Sequence, residues 1–78
     1  MAERIPPHNE EAERSVLGAV MLNKDVLSEV LEEVSADDFY NESHREIFKA
    51  IGELYKNNTA VDMLTVCEEL KKRKALEM

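Results

Sequence analysis

The chain has 78 residues, with 10 Lys+Arg against 17 Asp+Glu and a formal net charge of −7. One domain fits that length, burying about 60% of its unfolded surface in a single modest core. The acidic balance disfavours a phosphate grip, one cysteine makes no internal disulfide and suits a reducing compartment, and no apolar run approaches the ~18 residues that span a bilayer. Met1-Ala2-Glu3-Arg4 lacks the apolar segment of a secretory signal.

Residues 1–8 are expected to form an extended arm, because Pro6-Pro7 fixes two φ angles and restricts Ile5. Residues 9–78 are expected to form one all-α domain: a compact bundle of four main helices plus a short helical turn. The first helix is predicted over Glu10 to Leu22, with Asn9 as N-cap and Glu10, Glu11 and Glu13 at the positive end of the dipole. Ala12, Val16, Ala19 and Val20 make one apolar stripe. Leu17 and Met21 make a second, on the side of Glu10 and Arg14, so this helix is expected to be covered on two sides. Gly18 is expected to let a neighbour approach closely. The second helix is predicted over Lys24 to Val34 behind Asn23, on the spacing of Val26, Leu27, Val30, Leu31 and Val34.

Ser35-Ala36-Asp37-Asp38 resembles a capping box and predicts a single turn, anchored to the core by Phe39 and Tyr40. The third helix, Glu42 to Lys56 behind Asn41, has the strongest periodicity: His44, Ile47, Phe48, Ile51, Leu54 and Tyr55. Asn57-Asn58-Thr59 ends it, since Asn tolerates the left-handed conformation. The fourth is predicted over Met63 to Lys74 behind Asp62, with Met63, Val66, Cys67 and Leu70 facing inward and Leu64 beside them. Ala75-Leu76-Glu77-Met78 looks like an interrupted element, so the chain is expected to be a truncated piece of its domain.

Little in the chain points to catalysis. Both glycines, Gly18 and Gly52, fall inside helices, so there is no Gly-rich phosphate loop. His8, His44 and Cys67 are far apart in sequence and lack the paired spacing of structural zinc. Cys67 reads as a small core residue, and His44 as a helix-start ring packed on Ile47 and Phe48. A general acid–base role for His44 needs a second poised group, and the sequence nominates none. Glu10, Glu11, Glu32, Glu33, Glu68 and Glu69 read as solvated faces. Lys71-Lys72-Arg73-Lys74 is the one basic run. It either meets an acidic partner or phosphate, or complements the negative end of the fourth helix.

Three blocks carry a resemblance. Arg4-Ile5-Pro6-Pro7 with Glu11-Ala12-Glu13 and Val16-Leu17-Gly18, then Asp38-Phe39-Tyr40 with His44 and Ile47-Phe48, then Val61-Asp62 with Thr65 and Glu69-Leu70, follow in order across residues 4–77. Together they resemble the N-terminal domain of the bacterial replicative DNA helicases of the DnaB family. The resemblance implies a whole protein with an all-α N-terminal domain, a linker helix and a RecA-like ATPase domain. Such a protein forms a ring hexamer that unwinds duplex DNA with ATP and magnesium. It also implies that the N-terminal domain is a non-catalytic collar that supports ring assembly and docks primase, with a helicase loader as a further partner. The cytoplasmic replisome would be its location, and ATP, magnesium and most DNA contacts would belong to the C-terminal domain.

For this segment itself no catalytic, cofactor or metal residue is assigned, and a monomer or weak dimer is expected. The contact surface is assigned to Glu10, Glu11, Arg14, Leu17 and Met21. The alternative is that Leu17 and Met21 are covered by neighbouring helices of the same chain. A different class of function, a small helix-turn-helix nucleic-acid binder, would suit the tight junction at Asn23. It would need Arg, Lys, Asn or Gln on its recognition helix, where helix two offers Lys24 and then mainly Glu.

Overall fold

The computed structural model describes residues 9–77, and the side chains of 9–74. The expected Pro-Pro arm lies outside the described residues. The elements run α1 (Glu10–Leu22), α2 (Lys24–Glu33), a 3-10 turn (Ala36–Asp38), α3 (Glu42–Lys56) and α4 (Met63–Glu77). Among the described residues there is no strand. The fold is all-α, as the periodicities predict.

Local chemistry explains each boundary. The Asn9 side chain accepts from the Ala12 N–H at 2.9 Å and starts α1. A single residue then turns the chain: Asn23 closes α1 through its N–H on the Ala19 carbonyl. Its side chain opens α2 by accepting from the Asp25 and Val26 N–H groups at 2.9 and 3.3 Å. With φ −141° and ψ 113°, Asn23 is extended, which redirects the backbone between the two helices. In the 3-10 turn, the Asp38 carboxylate accepts the Ser35 N–H at 2.9 Å, the back-bond a capping box requires. The Asn41 side chain accepts from Ser43 and His44 at 2.8 and 3.3 Å and starts α3.

The end of α3 is a Schellman motif. Asn58 has φ 58°, its N–H reaches the Tyr55 carbonyl at 3.1 Å, and the Thr59 N–H reaches the Leu54 carbonyl at 2.9 Å. Asp62 and Thr65 then cap α4 reciprocally. The Thr65 N–H donates to the Asp62 carboxylate at 2.9 Å, and the Asp62 N–H donates to the Thr65 hydroxyl at 3.0 Å.

α3 is the central element, packing against α1, α4 and the 3-10 turn. It contributes Phe48, Ile51 and Leu54 to a core completed by Leu17 and Val20 of α1, Leu27 of α2, Val34, Phe39 and Val66 of α4. Phe39 stacks at a tilt on Phe48, with ring centroids 5.0 Å apart.

Four expectations need correction. α1 buries one face rather than two: Glu13, Leu17 and Val20 are covered, Val16 and Met21 are half-buried at its margins, and Ala19 is exposed. The two stripes merge into one broad face, because Val20 of the first and Leu17 of the second flank position 13 at helical spacing. Gly18 makes no close contact, since a Cβ there would meet nothing within 4 Å. Among the described side chains of α4 only Val66 is buried, with Leu70 half-buried; Met63 and Leu64 are 68% and 67% exposed, and Cys67 is exposed. A helix that packs chiefly on one neighbour covers a single narrow seam, here the 66–70 diagonal. Finally, Phe39 anchors the 3-10 turn at 1% exposure, while the Tyr40 side chain stands 56% exposed.

Candidate functional site

The polar centre of the domain is Glu13, whose side chain is fully buried on the inward face of α1. Its carboxylate collects three donors. The Tyr40 N–H reaches Oε2 at 2.5 Å, the Asn41 N–H reaches Oε1 at 3.3 Å, and Nδ1 of the buried His44 lies 2.7 Å from Oε1. Burial alone would push this carboxyl up. The hydrogen bonds from His44, Tyr40 and Asn41, with the attraction of a charged His44, outweigh it and hold the group below the ordinary carboxylate range. An ionised Glu13 requires the hydrogen on Nδ1 of His44. Around this cluster, Phe39 meets the His44 ring edge-on at 6.5 Å. Arg45 ties down the same connection from the other side, its Nη1 donating to the Phe39 and Tyr40 carbonyls at 3.0 Å each.

His44 is therefore a structural residue, and its ring is held by two groups beyond those expected, Glu13 and Phe39. The second group that the sequence did not nominate is Glu13. Its signal was present, because Glu13 sits at i−4 and i−7 of Leu17 and Val20, a carboxylate in an apolar register. Chemically, the arrangement is a fastening. All three partners of the carboxylate are donors, so its lone pairs are committed to holding the start of α3 against α1.

The five residues assigned to partner contact part company. Leu17 is 5% exposed and belongs to the core, so its side chain has no surface to offer a partner in this fold. Glu10, Glu11 and Arg14 are exposed, and Met21 is half-buried. Met21 lines a groove of about 690 Å³ between the α1–α2 junction and the loop from α3 to α4. Leu22, Lys24, Tyr55 and Val61 also line it, and Leu22 is 90% exposed. Leu22, Tyr55 and Val61 were not singled out as contact residues; Leu22 ends the first helix at a register that the buried face does not use. The basic run falls in the last turns of α4, where Arg73 lies in a second groove beside Glu42, Glu46 and Leu70. Among the described residues, no group of three or more His, Cys, Asp or Glu is gathered to hold a metal ion. Nor is any of their helices long and apolar enough to cross a membrane.

Residues 5–78 match the family model of the DnaB-like helicase N-terminal domain. The chain belongs to this family. It is 46% identical over 74 residues to the replicative DNA helicase DnaB of Treponema pallidum, covering 95% of this chain and 17% of that protein. It is 41% identical over 76 residues to the DnaB of Rhodothermus marinus, covering 97% of this chain and 8% of the relative. In three dimensions it matches the crystal structure of the N-terminal domain of DnaB helicase from Mycobacterium tuberculosis. The TM-score is 0.83 at 40% identity, over 88% of this chain and 49% of that one. The chain thus spans less than a fifth of these helicases and about half of the solved domain. Two of the three DnaB-like blocks meet in the fastening: Glu13 comes from the first, and Phe39, Tyr40 and His44 come from the second.

Proposed function

We propose that this DnaB-like segment is part of the non-catalytic collar of a hexameric replicative helicase, supporting ring assembly and docking primase at the replication fork in the bacterial cytoplasm. The match of residues 5–78 to the N-terminal domain of this helicase family carries the reading. Unwinding with ATP and magnesium, most DNA contacts and engagement of a loader then belong to the whole protein, with the nucleotide in its C-terminal domain. Met21 and Leu22 at the end of α1 line a groove with the polar Lys24, Asn58 and Thr59 and supply an apolar surface for such contacts, while Glu10, Glu11 and Arg14 stand exposed nearer the start of the helix.

The helix-turn-helix alternative finds no support in the surface of α2, where Asp25, Glu29, Glu32 and Glu33 are exposed beside Lys24. Carboxylates on that face repel phosphate.

The test is the full-length protein carrying Met21→Glu with Leu22→Glu. Both side chains lie on the groove, so the substitution leaves the core residues Leu17 and Val20 in place. The variant is expected to keep its helical content and to lose ring assembly in sedimentation velocity or primase binding in a pull-down. A folded variant that is normal in both assays removes this surface from the proposal.

A further inference from the structure

We propose that Glu13 is an acid-releasable latch: its ionised carboxylate clamps the Tyr40–Asn41 connection and the first turn of α3 onto α1, and protonation frees that segment before the helices separate. The geometry carries the argument. The carboxylate is fully buried, and its bonded neighbours are the Tyr40 N–H, the Asn41 N–H and Nδ1 of His44, donors without exception. A protonated carboxyl adds an O–H that neither backbone amide can accept, and Nδ1 of His44 accepts it only by giving up its own hydrogen and with it the bond it donates to Oε1. Protonation therefore removes the charge that strengthens the bonds from the Tyr40 and Asn41 amides, in a buried space where a poorly met polar hydrogen is costly.

The charged or titratable groups on the elements around this point are His44 and Arg45 on α3, Asp38 in the 3-10 turn, the Tyr40 phenol on the connection, and Glu10 and Arg14 on α1. Of these, His44 is the one whose side chain bonds the carboxylate. Arg45 holds the Phe39 and Tyr40 carbonyls instead, so it stays attached to the connection when the latch opens. Release is local because the hydrogen bonds on Glu13 involve neither Ile51 nor Val66, which meet the segment only through the apolar core that Phe39 shares. The segment set free carries Phe39, now 1% exposed.

The experiment is amide hydrogen exchange by NMR on the wild-type chain, corrected for intrinsic rates, at about pH 6.5 and about pH 3.5, either side of the ordinary carboxylate range. Protection at the Tyr40 and Asn41 amides is expected to fall severalfold at the lower pH, with about tenfold as the ceiling for one carboxyl, while Ile51 and Val66 stay protected. In Glu13→Gln, which cannot titrate, protection at Tyr40 and Asn41 is expected to be equal at the two pH values. The latch is overturned if the wild-type Tyr40 and Asn41 amides keep their protection in acid, or if they lose it together with Ile51 and Val66. It is equally overturned if Glu13→Gln shows the wild-type change. Should the Gln variant not fold, the wild-type comparison decides alone.

Discussion

Replacing Glu13 with alanine is the most informative single change in this domain. It removes the acceptor for two backbone N–H groups and for the His44 imidazole, at a position with no solvent exposure. Each stranded donor costs about 1–3 kcal/mol. Breaking a buried pair from one side typically costs about 3–5 kcal/mol, and that range is adopted for the variant. A domain of this size has roughly 4–12 kcal/mol in total, so the alanine variant stands near the edge of folding.

Glu13→Gln keeps the volume and one acceptor oxygen but turns an NH₂ toward donors. It is expected to cost about 1.5–3 kcal/mol, the scale of hydrogen bonds to a charged group. Urea unfolding followed by far-UV circular dichroism measures both, because the signal comes from the helices. The wild-type advantage over Gln also has a defined pH dependence. The folded-state carboxyl lies below its unfolded value, so the unfolded chain binds more protons as pH falls. The stabilisation is complete above the ordinary carboxylate range and is lost as pH falls through that range toward the folded value. An alanine variant within about 1 kcal/mol of wild type at neutral pH, or a Glu–Gln gap that does not narrow in acid, would refute the reasoning.

Three further predictions follow from local geometry. Gly18→Ala places a methyl in open space inside α1, so it should stabilise the isolated chain by up to about 1 kcal/mol in the same urea assay. Asn23→Ala removes the cap of α2 and should cost about 1 kcal/mol, or roughly 4–8 °C in thermal unfolding, with Asn23→Asp near neutral. Asn58→Val puts a β-branched residue at φ 58° and should destabilise by about 1–3 kcal/mol, whereas Asn58→Gly should match or exceed wild type. Equal stability of the Val and Gly variants would mean that the Schellman turn rearranges.

Much of this fold is readable along the chain because helix boundaries are short-range events. Asn9, Asn23, Asn41 and Asp62 each bond an amide two or three residues away, so the starts of all four helices are visible in the local sequence. Asn58 likewise ends α3 through conformational tolerance that belongs to its own residue type. The DnaB-like blocks are legible for the same reason, as runs of neighbouring residues in order.

Burial is different, because it depends on which elements meet. Cys67 and Met63 hold inward-looking registers on α4, yet they are exposed, since α4 rests chiefly on α3 and, of its described apolar side chains, covers Val66 and partly Leu70. Glu13 reads as one of three acids complementing a dipole until Tyr40, Asn41 and His44, 27 to 31 positions away, close around it. Periodicity reports the direction in which a side chain leaves its helix. Only packing decides whether that direction ends in water, in hydrocarbon, or against hydrogen-bond donors that make a buried charge stable.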